Sequence, residues 1–158
     1  MEKRENAKIA SIVIALAVVA TCMFDSRLGI YRGCEFYNRC LYPFFHVNML
    51  HAILNVWCLL SIVFMYNIGI LRLSLSYFAT ISIPSFLLND RITLGMSGAV
   101  FFLFASISFE VQRKMYYQSW MFFYLVIGFF LPNTNGNIHL YCYLLGLFYA
   151  ILNKPIYR

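Results

Sequence analysis

Six stretches of the chain are dominated by apolar side chains, roughly residues 9–24, 46–66, 69–88, 95–111, 118–131 and 137–153. A helix needs about 20 apolar residues to cross a bilayer, and about 17 is the lower limit. Several of the six sit at that limit. Read as helices in lipid, they predict an all-α fold, a polytopic membrane protein built as a bundle of six transmembrane helices. The first stretch stands behind Lys3, Arg4 and Lys8, as a secretory leader does. Its end, VVATCMF, offers no good small-x-small cleavage site, so an uncleaved first helix is expected. No internal repeat, low-complexity tract or linker divides residues 1–158, which are expected to form a single membrane domain.

Polar residues interrupt this pattern at a few places. HVNMLHAILN, His46 to Asn55, puts two histidines and two asparagines at the start of the second stretch. Asn48, His51 and Asn55 are three and four apart, which predicts one polar stripe on a helix face. His46, five residues before His51, is expected to point away from it. Side chains of this kind either bond neighbouring helices or mark a functional site. The fourth stretch opens with GMSGAV, which places Ser97 at a helix start between Gly95 and Gly98. A serine there serves as a cap, or as a reactive group beside free N–H donors that favour negative charge. The sixth opens with NGNIHLYCYLLG; His139 lies just inside, with Cys142 and Gly146 one and two turns on.

Composition narrows the class. The chain is 62% hydrophobic and 11% charged, with a mean hydropathy of +0.73, more apolar surface than a soluble domain can hide. The net charge of +6 comes from scattered residues rather than a patch, which argues against nucleic-acid binding and points to orientation in a bilayer. With a cytoplasmic N-terminus, Lys3, Arg4, Lys8, Arg72, Arg113, Lys114, Lys154 and Arg158 lie inside. Arg27, Arg32, Arg39 and Arg91 then lie outside, and eight against four favours this arrangement. His46, Gly95 and Asn137 consequently open on one face, the outer one. The loop from Asp25 to Phe45, with its aromatic YRGCEFYNRCLYPFF, suits the membrane interface. None of the five cysteines forms a CxxC pair; free thiols are expected, with a Cys34–Cys40 disulfide open if the loop meets an oxidising compartment.

A serine, a histidine and an asparagine-plus-histidine pair, all at outer helix ends, are the parts for acyl transfer: nucleophile, base and oxyanion donors. Acidic residues occur only near the span ends (Asp25, Asp90, Glu110), so a Ser-His dyad is expected rather than a triad.

On these motifs the chain resembles the rhomboid intramembrane serine proteases. YPFFHVNMLHAILNVWCLL is similar to the family's H-x4-H-x3-N helix, GMSG to its GxSG motif, and IHLYCYLLG to its A-H-x2-G-x3-G helix. The order is the family's, six spans match its minimal bacterial core, and the likeness covers roughly residues 8–153. The resemblance implies Ser97 as nucleophile and His139 as general base. It implies an oxyanion hole from Asn55, His51 and the Ser97 backbone N–H. Gly95, Gly98 and Gly146 are its motif glycines, Phe101 its aromatic partner of the catalytic histidine, and His46 a support of the first outer loop. The implied substrates are single-pass or multi-pass membrane proteins, cut near the outer face without metal or organic cofactor. The implied location is a bacterial plasma membrane, with both termini cytoplasmic. Three departures stand out: Ile138 replaces the motif's alanine, and Cys142 replaces its first glycine, which should widen the gap between the fourth and sixth helices. Arg39 lies one residue out of register with the family's W-R element, and no Trp precedes it.

The main alternative is a catalytically weak or inactive rhomboid-like protein that binds transmembrane clients. A metal or haem site on His46, His51 and His139 is a second; the five-residue gap predicts different faces for the first two. A small transporter is the third, without paired intramembrane charges or broken-helix repeats to support it.

Overall fold

The computed structural model describes residues 2–22, 28–130 and 134–153. Seven α-helices carry them: α1 Glu2–Thr21, α2 Phe36–Leu41, α3 Met49–Met65, α4 Ile70–Ile81, α5 Ser97–Ser106, α6 Lys114–Gly128 and α7 Gly136–Leu152. Six answer to the apolar stretches, and α2 is an addition within the aromatic loop. Among the described residues there are no strands, only an isolated antiparallel bridge between Ile30 and Thr93. No single described helix is long and apolar enough to cross a membrane; Phe36–Phe44 and Met49–Met65 pass that test together, bent by 83°. Arg27, Lys154 and Arg158, counted for orientation, and the acidic Asp25 lie outside the described residues.

Helix ends differ from the apolar boundaries for local reasons. α1 starts seven residues early because Glu2 and Glu5 suit a helix N-terminus, and Glu5 pairs with Lys8 at 2.9 Å one turn on. α4 stops at Ile81 because Pro84 lacks an N–H and turns Ile83 away from helical geometry; Ser85–Leu87 then forms a 3₁₀ turn. α5 stops at Ser106, where the Ser106 and Ser108 hydroxyls donate to the Leu103 and Ala105 carbonyls at 2.7 and 2.6 Å.

α5 is the central element. Seven of its ten residues, from Gly98 to Ser106, are buried, with α7, α4 and α3 packed around it. α7 lies directly on its backbone: a Cβ at Gly146 would fall 2.2 Å from the Phe102 carbonyl oxygen. α1 inverts the pattern of a soluble helix. Small residues Ala7, Ser11 and Ala15 form its buried stripe with Val18, while Ile9, Val13 and Leu16 are each about three-fifths exposed. α6 is held by a smaller cluster, with Met121 and Leu125 against Ala105 and Tyr143. The Tyr117 hydroxyl donates to the Phe104 carbonyl at 2.8 Å, and the Tyr143 hydroxyl donates to Gln118 Oε1. At the opposite end from Ser97, Arg72 meets Glu110 at 2.7 Å and lies over the Tyr149 ring.

The segment from Gly29 to Phe45 docks on the chain that leads into α5. Ile30 and Thr93 exchange two backbone hydrogen bonds of 2.9 Å. Arg39 donates to the Ile83 carbonyl and to Ser85 Oγ, and Tyr77 donates to the Cys40 carbonyl. Tyr42 is fully buried and donates to the Thr80 carbonyl at 3.0 Å; burial pushes its phenol well above the ordinary range, which keeps it a donor. Cys34 and Cys40 are both free thiols.

Candidate active site

Three helix starts converge at one end of the bundle. Asn48 adopts extended geometry and its side chain accepts the His51 N–H at 2.8 Å, so it is the N-cap of α3. This corrects the expected stripe: Asn48 lies outside the helix, and only His51 and Asn55 share its face. The same cap overturns the expected separation of the two histidines. Because α3 begins only at Met49, the chain bends before it and the His46 ring meets the His51 ring edge-on, with centroids 5.1 Å apart. Asn55 is buried one turn further, its Nδ2 donating to the His51 carbonyl at 3.0 Å.

The approach to α5 depends on Gly95. Its φ is +119°, and a Cβ would lie 2.9 Å from His51 Cε1, so a side chain is excluded by conformation and by space. Its N–H donates to the Tyr42 carbonyl at 3.1 Å. Met96 follows, and Ser97 is the first residue of α5, where backbone N–H groups have no helical acceptor. On the facing helix Asn135 is the N-cap and His139 sits in the first turn. His139 Nε2 and Ser97 Oγ are 2.7 Å apart. The Phe101 ring stacks on the imidazole, with centroids 4.4 Å apart and planes inclined by 22°. His139 Nδ1 is buried with no hydrogen-bond partner among the described residues, and Gly128, at the end of α6, abuts it closely enough that a Cβ would lie 3.1 Å away.

A cavity of about 10 Å³ opens between these residues, bounded by His51, Gly95, Ser97, Asn135, Ile138 and His139. That is room for about one water-sized group. Asn55 is not among its walls. Chemically, the arrangement offers a hydroxyl paired with an imidazole, free backbone donors and a single-oxygen-sized void.

A family model of the rhomboid domain matches residues 33–155, more than half of the chain. The chain belongs to the rhomboid family. No curated protein and no solved structure gives a significant match. Rhomboids are integral membrane proteins, generally intramembrane serine proteases that act on membrane-protein substrates.

Two of the departures from the rhomboid motifs, Ile138 and Cys142, face Gly98 of α5. Ile138 is buried, and a Cβ at Gly98 would lie 3.1 Å from both its Cγ2 and Cys142 Sγ. The Cys142 sulfur turns toward Thr80 Oγ1 at 3.9 Å, in a slot between α5 and α4, and the pairing of Ser97 with His139 persists beside it. His46 is buried, and a Cβ at Gly95 would lie 3.5 Å from its Cδ2. Among the described residues, no group of three or more His, Cys, Asp or Glu is placed to hold a metal ion. Sequence reasoning missed Asn135 and Gly128. An asparagine four residues before a helical histidine is a recognisable N-cap signal; nothing in the sequence marks Gly128 as a neighbour of His139.

Proposed function

We propose that this rhomboid is an intramembrane serine endopeptidase that cuts membrane-spanning substrates near the outer face with a Ser97–His139 dyad. The observation that carries this is the 2.7 Å separation of Ser97 Oγ and His139 Nε2 at the mouths of two facing helices. Residues 1–158 act as one six-crossing domain in a bacterial plasma membrane, with both termini cytoplasmic. Support comes from the large apolar side chains turned outward on several helices, such as Leu16, Trp57, Phe122 and Phe148. Surface of that kind needs lipid or a partner to cover it.

In the mechanism, His139 holds its proton on Nδ1, so that Nε2 accepts from the Ser97 hydroxyl. Ser97 Oγ bonds to the scissile carbonyl carbon as its proton passes to Nε2, and the carbonyl π pair moves onto oxygen. The Ser97 N–H, Asn55 and His51 stabilise that oxyanion. His139 returns the proton to the leaving amine, and water then releases the acyl group by the same steps in reverse roles. A substrate helix must unwind first, because its carbonyls are tied up in backbone hydrogen bonds. Substrates with helix-weakening residues near the outer face are therefore preferred.

Purified protein in detergent should cleave a model transmembrane substrate and take a fluorophosphonate label. Ser97→Ala and His139→Ala should each abolish cleavage, and Ser97→Ala should abolish labelling. Undiminished cleavage by Ser97→Ala ends the assignment.

A further inference from the structure

The amide of Asn135 is half used. Its Oδ1 accepts the Asn137 N–H at 3.1 Å, as an N-cap does, and this fixes which end of the amide is oxygen. Nδ2 therefore points the other way. Asn135 is 2% exposed, and its Nδ2 has no hydrogen-bond partner among the described residues. A buried donor without an acceptor is costly, and each such group in a native protein calls for an explanation, a bound water, an ion or a catalytic role among them.

The wall it occupies indicates the use. Asn135 and Ser97 bound the same cavity of about 10 Å³, so any group placed there lies beside both. Asn55, the donor that family likeness supplies, already donates from Nδ2 to the His51 carbonyl. It is not part of the wall.

We propose that Asn135 Nδ2 is a further catalytic donor, giving a hydrogen bond to the scissile carbonyl oxygen as it becomes an oxyanion. The inference rests on the Ser97–His139 assignment. When Ser97 Oγ bonds to the carbonyl carbon, the π pair moves to oxygen and the hydroxyl proton moves to His139 Nε2. The oxygen gains negative charge, and the Nδ2–H···O bond becomes charge-assisted. Asn135 and His139 also share the first turn of α7, with the His139 N–H donating to the Asn135 carbonyl at 3.4 Å. One seating of that helix therefore places both the base and the donor.

The test uses the full chain in detergent and the rate of fluorophosphonate labelling. Asn135→Ser and Asn135→Asp both keep an oxygen able to cap α7 and remove the amide donor. Labelling should fall about 10²-fold in Asn135→Ser. It should fall further in Asn135→Asp, which presents an acceptor to the oxyanion, while both keep the wild-type unfolding midpoint. A purely structural role predicts no such order, because Asp and Asn cap equally well. If either folded variant labels at the wild-type rate, or loses labelling only in proportion to its unfolded fraction, the inference falls and the dyad stands. If wild type takes no label, or Ser97→Ala takes as much, both fall.

Discussion

The Phe101 ring lies flat on the imidazole of His139, 4.4 Å between centroids, one helical turn below Ser97. The two rings belong to facing helices, so the contact fixes the plane of the base as α7 packs on α5. Stacking of this kind is worth about 0.5–1.5 kcal/mol beyond the area it buries. Phe101→Ala should lower kcat for a transmembrane substrate by about two- to tenfold, the equivalent of that energy. Phe101→Tyr should stay near wild type. Initial rates with each variant decide it, and equal rates for Ala and wild type would show that the ring plays no part.

Gly146 and Gly95 should fail in different ways. At Gly146 a Cβ meets the Phe102 carbonyl oxygen at 2.2 Å, so Gly146→Ala forces two helices apart. A loss of about 1–3 kcal/mol is expected, read as a lower unfolding midpoint in detergent. At Gly95 the obstacle is a φ of +119° together with the His51 ring. Gly95→Ala costs about 1–3 kcal/mol in backbone strain and displaces His51 as well. Cleavage should therefore drop by more than the folded fraction accounts for.

Gly128 offers a cleaner separation of activity from stability. A Cβ there would lie 3.1 Å from His139 Nδ1, tight enough to move either the last turn of α6 or the imidazole. A displacement of about 1 Å near the reacting groups can cost on the order of 10²-fold in rate. The contact calls for a shift of only a few tenths of an ångström, so Gly128→Ala should lose about three- to tenfold in kcat while its unfolding midpoint stays close to wild type. A variant with full activity would show that the end of α6 does not constrain the base.

Arg72 and Glu110 should do the opposite. They lie beyond the far end of α5, about 15 Å from Ser97 by helix rise. Their 2.7 Å contact is mostly shielded, with side chains 13% and 25% exposed, and Arg72 also covers the Tyr149 ring. Arg72→Gln and Glu110→Gln should each destabilise by about 1–3 kcal/mol, between the values for exposed and buried pairs. A double-mutant cycle on unfolding should show coupling of about 1 kcal/mol or more, with kcat per folded molecule unchanged.

The sequence conveyed some of this more clearly than the rest. Six of the seven helices were legible because apolar runs of helical length are long-range signals that survive errors at their ends. That Ser97 and His139 open on one side was also legible, since it follows from counting crossings. The contact of His46 with His51 was not, because it depends on Asn48 capping α3 and so on a bend that periodicity does not register. α2 was hidden for a similar reason: six residues in an aromatic loop give too short a window for a helical pattern. The free Nδ2 of Asn135 was beyond reach as well. A sequence shows that an asparagine can cap a helix, but not which of its atoms is left over.

The inverted packing of α1 bears on how the protein must be handled. Ala7, Ser11 and Ala15 face inward while Ile9, Val13 and Leu16 face out. A charge placed at Leu16, which is 66% exposed, would disturb little of the internal packing, yet it would remove part of the surface that an amphiphile grips. Robustness to mutation inside the fold and solubility outside it are thus separate properties here, and a screen that scores only one will misjudge the other.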